Sequence, residues 1–264
     1  MGEKILHVWN TAGVASVIAK FTDRECGTSS RVITRRAADR VGLTSYGTAY
    51  PDGPSRFFAR ALWLARDADL VHVHSLDRMV PWLKRLYSKP LVLHYHGTDI
   101  QGRWQEKERR WRRADYLAVS TPNLLEGAPP RATFVPNPVD TDIFRPLPGS
   151  RDPKSALSFR YGMDAEAEEM AGKLGLNLVW LERWSVKHQQ MPETLSKYAY
   201  YVDMRKPPEH QVAHSIGKAA LEALACGCKV VDWQGNVIEG LPREHDPKAV
   251  AASWNDVYLG LLKK

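Results

Sequence analysis

The chain has 264 residues, enough for two compact cores of ordinary size or one large α/β domain. Hydrophobic residues at 44% and charged residues at 25% are those of a folded globular protein and exclude extended disorder. The formal net charge of +7 is one-sided: residues 1–146 carry 22 Lys and Arg against 15 Asp and Glu, and the remainder is balanced. A positive field attracts phosphates in general, so it does not separate anionic lipid, nucleic acid and a small anionic substrate. No apolar run approaches the roughly 18 residues of a spanning helix, and the N-terminus lacks a signal-peptide pattern, so a cytoplasmic location is expected. Three cysteines, Cys26, Cys226 and Cys228, are too few and too badly spaced for a disulfide framework or a zinc site.

The first half alternates strands and helices. Lys4 to Trp9 reads as a short apolar strand, Asn10 to Gly13 as a loop and Val14 to Phe21 as the helix starting on it, the opening of a Rossmann-like unit. Arg31 to Thr34 reads as a strand and Pro54 to Arg66 as a helix. Asp69 to His74 and Pro90 to His96 are continuous apolar strands, as in a parallel sheet buried on both faces, and Tyr116 to Ser120 and Thr133 to Pro136 complete the sheet. Pro146 to Pro153 reads as a linker.

The second half repeats the alternation on a smaller scale, with strands at 157–160, 177–182 and 200–204 and helices at 165–174 and 192–198. Its densest stretch is His214 to Asp232: a small turn at Ser215, Ile216 and Gly217, helix formers from Lys218 to Ala225, a stop at Cys226-Gly227, and a β-rich run to Asp232. A helix whose first turn exposes free N–H groups is an anion site, and Glu222 lies far enough along it to reach a hydroxylated part of the same ligand. The terminal helix spans 247–262.

The order Gly217, Glu222, then Ala-Cys-Gly-x-x-Val-Val resembles the donor segment of retaining glycosyltransferases of family 4, which have the GT-B fold. So do the Ala12-Gly13-Val14 turn, Asp69 to Ser75, His96 to Asp99, and Pro136 to Asp140 through Pro146. The resemblance implies α/β GT-B architecture: two Rossmann-like domains with a cleft between them, an acceptor domain at 1–146 and a nucleotide-sugar donor domain at 147–264, shortened by about one strand-helix unit. The last helix is expected to return to the first domain, and His96 and Glu222 to face each other across the cleft. The implied activity is transfer of a sugar from a UDP- or GDP-linked donor to a glycan or lipid-linked hydroxyl with retention, without metal or added cofactor. The alternatives are a nucleotide-sugar epimerase or phosphorylase of this architecture, or a binding protein that has lost donor residues.

His96 and His214 are the catalytic candidates under this reading, His214 standing where the family has a first Glu. Gly13, Ser215, Ile216, Gly217 and Glu222 are the donor-site candidates, and Arg160 and Lys187 the candidates to replace an Arg/Lys diphosphate clamp that is out of register here. His74 belongs with the acceptor side. In the stretch Gly102 to Arg113, helical spacing puts Trp104, Glu108 and Trp111 near one face. It reads either as a solvated helix with inward indoles or as an interfacial helix whose Arg109, Arg110, Arg112 and Arg113 bind an anionic membrane at the inner face. No nucleic-acid motif accompanies the charge, so no nucleic-acid partner is expected.

Overall fold

The computed structural model describes residues 2–205 and 216–264. The chain forms two compact units, one of residues 1–138 with 247–264, the other of residues 139–246.

Apolar, β-branched runs in the first unit form parallel strands: β1 (Lys4–Val8), β2 (Ser29–Arg35), β3 (Thr48–Tyr50), β4 (Leu70–His74), β5 (Leu91–Tyr95), β6 (Tyr116–Val119) and β7 (Ala132–Phe134). Among the described residues they make one sheet of order β3-β2-β1-β4-β5-β6-β7. Alternate residues point to opposite faces. Leu6, Val8, Val71, Val73, Leu91, Leu93 and Tyr95 join one core with α2 (Pro54–Ala65) and α3 (Val80–Leu86). Ile5, Leu70 and Val92 join another with α1 (Val14–Cys26) and the C-terminal helix, whose Trp254, Tyr258 and Leu261 are buried there. His7, His72, His74 and His94 occupy that second face and are fully buried. The short helix α4 (Glu108–Trp111) follows β5.

In the second unit, β8 (Asp152–Phe159), β9 (Asn177–Leu181), β10 (Tyr198–Asp203), β11 (Lys229–Asp232) and β12 (Val237–Ile238) pair in the order β12-β11-β10-β8-β9, with β12 antiparallel. Helices α5 (Asp164–Lys173), α6 (Met191–Leu195) and α7 (Lys218–Ala225) cover them, and α8 (Pro247–Leu262) closes the chain in the first unit. The unit boundary expected at 146 falls at Pro138, because Val139 and Phe144 are buried among second-unit residues such as Leu195 and Tyr201. The expected linker at 146–153 overlaps β8, whose pairing begins at Asp152. Helix α7 stops where predicted: Gly227 takes φ of 82°, its N–H donates to the Leu224 carbonyl and that of Cys228 to the Ala223 carbonyl. This left-handed stop satisfies the last carbonyls and is open to glycine at little steric cost.

Candidate functional site

In an open parallel sheet, ligands gather at the carboxyl ends of the strands where the strand order reverses. That point lies between β1 and β4 in the first unit and between β8 and β10 in the second.

At the first reversal, β1 runs into a loop in which Trp9 (φ 76°), Ala12 (φ 51°) and Gly13 (φ 76°) are all left-handed, and Ser75 (φ 60°) is so at the end of β4. Such conformations cost non-glycine residues roughly 1–2 kcal/mol each, and they concentrate at working sites. The loop is over-determined by its bonds. Asn10 accepts from the Ser16 N–H (3.1 Å) and donates to Ser16 Oγ (2.9 Å) and Thr44 Oγ1 (3.1 Å), and Thr11 Oγ1 meets Ser75 Oγ at 2.8 Å. Gly13 is buried, and a Cβ there would lie 3.1 Å from the Leu43 carbonyl oxygen.

Below this loop His7, His74 and His96 form a row. His7 Nδ1 is 3.2 Å from His74 Nε2, and His74 Nδ1 is 3.0 Å from His96 Nε2. Burial, with the neighbouring imidazoles, holds His74 well below the usual histidine range, and burial pushes His7 down to about 4. Both are neutral near pH 7, so each bond in the row fixes a tautomer and sets the orientation of the half-buried His96. The Asp99 carboxylate accepts the backbone N–H groups of His96 (3.0 Å) and Gly97 (2.7 Å), folding the loop after β5 back on itself. The structure thus joins the two predicted histidines, His74 and His96, and adds His7, which lies within the first strand.

The second reversal is lined by Tyr161, Arg183, Asp203 and Arg205. The guanidinium carbons of Arg183 and Arg205 lie 5.7 and 5.4 Å from the Tyr161 ring centroid. Arg205 is held to Asp203 by two bonds, of 2.7 and 2.5 Å. A Cβ on Gly217, at the start of α7, would fall 1.8 Å from Arg205 Nη2, so a side chain there would displace this guanidinium from the helix N-terminus. Further along α7, Glu222 is 7% exposed; its Oε1 receives Lys218 Nζ at 3.0 Å and His188 Nε2 at 3.3 Å. Burial pushes the Glu222 carboxyl up, but Lys218 and His188 together outweigh it and leave the group below its ordinary value, ionised. Ile216 packs against the second core.

The two cations expected to clamp a diphosphate are differently engaged. Arg160 is exposed and bound to Asp164 and Glu182, and Lys187 is exposed beside the buried His188. His214 and Ser215 lie outside the described residues. Arg205 and His188 were not found from sequence because no fixed spacing links them to Glu222, whereas Lys218 stands four residues before it on the same helix face.

Of the two readings of 102–113, the structure carries the one with inward indoles. Trp104 and Trp111 are buried in the first core, their indole N–H groups donating to the carbonyls of Leu124 (3.0 Å) and Trp104 (2.7 Å). The buried carboxylate of Asp77 pairs with Lys107 (2.8 Å) and Arg110 (3.1 Å), tying the segment inward. Arg109, Arg112 and Arg113 remain exposed, while the two indoles of the segment, Trp104 and Trp111, are buried. No helix among the described residues is long and apolar enough to cross a membrane.

The fold is α/β of the GT-B type. Among solved structures the chain is similar to an alpha-glucosyltransferase in complex with UDP and a 13-mer DNA containing a HMU base, at 13% identity over 100% of this chain and 91% of that one, with a TM-score of 0.62. It is also similar to alpha-glucosyltransferase with UDP-glucose and DNA containing an abasic site (14% identity, 88% and 80% covered, TM-score 0.63). A third similar structure is AviGT4, a glycosyltransferase involved in Avilamycin A biosynthesis (14% identity, 99% and 98% covered, TM-score 0.64). No family model and no curated protein matches the chain. The expectation that nucleic acid is no partner is overturned by the two DNA complexes, in which proteins of this fold are bound to DNA.

Proposed function

We propose that the protein is a glycosyltransferase that takes a nucleotide sugar at the second reversal point and transfers the sugar, with retention, to an acceptor hydroxyl. The observation that carries the reading is Glu222, a buried carboxylate kept ionised on a helix whose N-terminus faces a guanidinium. Its Oε1 is occupied by Lys218 and His188, which leaves Oε2 to accept from a ribose diol. Arg183, Arg205 and the N–H groups of the first turn of α7 supply positive charge for a leaving diphosphate. His96, oriented by His74, contacts the acceptor. The UDP and UDP-glucose held by structures of this fold favour a uridine donor.

Calorimetric titration with UDP, GDP and UDP-glucose tests the donor half, followed by transfer assays against an acceptor panel of glycans, lipid-linked glycans and duplex DNA. Micromolar binding of one nucleotide, and product with the anomeric configuration of the donor, is expected. Absence of any nucleoside diphosphate binding would remove the reading. Binding without turnover on any acceptor would make the chain a nucleotide-sugar binding protein instead.

A further inference from the structure

Histidine recurs on one face of the first sheet with strand periodicity. His72 and His74 alternate on β4, His94 and His96 do so on and just beyond β5, and register places His7 beside His72 and His74 beside His94. His72 stacks on His74 along β4 at 4.0 Å, His94 and His96 lie 4.0 Å apart with tilted rings, and His74 stacks on His96 across the strands at 5.3 Å between centroids. Trp254 of α8 lies 4.4 Å from His72 and 5.0 Å from His94, closing the group from above. A buried histidine without a hydrogen-bond partner costs the desolvation of a polar group. Among the described residues neither nitrogen of His94 has a hydrogen-bond partner, and neither have His7 Nε2 and His72 Nε2.

We propose that His74, His94 and His96 form a binding site for one divalent transition-metal ion of the imidazole-preferring class, Zn²⁺, Co²⁺ or Ni²⁺. One ligand nitrogen from each lies within 4.8 Å of the others. A tetrahedral ion with metal–nitrogen bonds of about 2.0–2.1 Å sets its ligand nitrogens roughly 3.3 Å apart, so closure needs only small ring rotations. His74 Nδ1 and His96 Nε2 already stand 3.0 Å apart. The support around the ligands fits as well. With Nδ1 of His74 on the metal, its Nε2–H donates to His7 Nδ1, the kind of outer hydrogen bond that orients ligating histidines.

A second set, His7, His72 and His74, also converges. The first is preferred for two reasons. His72 Nδ1 is engaged by the Tyr258 hydroxyl at 2.8 Å, and all three members of the second set are fully buried, whereas His96 is half-buried and opens a path from the strand ends. Three histidines leave a fourth position for water or a substrate oxygen, the arrangement of open zinc sites. The inference does not depend on the proposed transfer reaction.

Untagged protein, stripped with chelator and dialysed, should be titrated with Co²⁺, reading visible d–d absorption and the metal content by mass spectrometry. One ion per folded chain is expected, with a rise in the thermal midpoint that chelator reverses. His94→Gln and His96→Gln should each abolish both signals, while His72→Gln keeps them; far-UV circular dichroism shows that each variant is folded. His96 being half-buried, its variant keeps the test open if His94→Gln fails to fold. Wild-type protein that takes up no Co²⁺, or His94→Gln and His96→Gln variants that bind as wild type does, would overturn the site. Loss in His72→Gln with retention in His94→Gln would do the same by moving the ion to the other set.

Discussion

Replacing Glu222 by glutamine removes one charge and little volume from the second unit. Glu222 and Lys218 are paired with side chains 9% and 13% exposed, and His188 is 6% exposed on the other side, so the lost charge is felt in a nearly dry setting. Truncating one partner of a buried ion pair costs about 3–5 kcal/mol. Glutamine keeps an acceptor for Lys218, so a loss of roughly 2–3 kcal/mol is expected, lowering the thermal midpoint by roughly 5–10 °C for a chain of this size. Adding Lys218→Met removes the stranded ammonium, and the double variant should be more stable than the sum of the single losses implies. Differential scanning calorimetry on the four proteins of this cycle reads the coupling. On the ligand side, exchanging two charge-assisted bonds to a ribose for neutral ones should weaken UDP by about 1–2 kcal/mol, roughly 5- to 30-fold in Kd, while leaving inorganic diphosphate unaffected. Because the folded Glu222 carboxyl lies below its ordinary value of 4.5, its contribution is complete above about pH 4.5 and is lost as pH falls through the folded value. A Glu222→Gln protein as stable as wild type, or one with unchanged UDP affinity, would refute the reasoning for the respective half.

Acid should destabilise the first unit through its histidines. His7 falls from 6.5 to about 4 on folding, so below pH 6.5 the unfolded chain takes a proton the folded one refuses. In metal-free protein this costs about 1.4 kcal/mol per pH unit down to pH 4, with His72, His74 and His94 adding in the same direction; equal urea unfolding free energies at pH 7.5 and 5 would contradict it. Gly13→Ala meets both a φ of 76° and the Leu43 carbonyl, and should lose about 1–2 kcal/mol in urea unfolding. Asp77→Asn leaves Lys107 buried without its counter-charge and should cost roughly 3 kcal/mol, whereas Arg112→Ala, at an exposed pair with Glu108, should change the unfolding free energy by under about 0.5 kcal/mol. Trp111→Ala should cost about 3–5 kcal/mol and leave co-sedimentation with anionic vesicles unchanged, because the indole is in the core.

Strand and helix positions were legible in the chain because they rest on local patterns. The runs at 70–74 and 91–95 are apolar along their whole length, as burial on both faces of a parallel sheet requires, and α7 with its Gly227 stop is spelled out residue by residue. The side chains that make a site out of these elements were only partly legible. His74 and His96 could be placed at strand ends, yet that they touch, and that His7 joins them, depends on the strand order β1-β4-β5, which no local pattern states. Lys218 follows from helical spacing, but His188 reaches Glu222 from 34 residues away in sequence. At Gly102 to Arg113 the sequence allowed both a solvated helix with inward indoles and an interfacial helix on an anionic membrane, since tryptophan and arginine serve either. Tertiary packing decided it: the carboxylate of Asp77, delivered by the turn after β4, draws Lys107 and Arg110 inward, and burying two indoles outweighs leaving them in water.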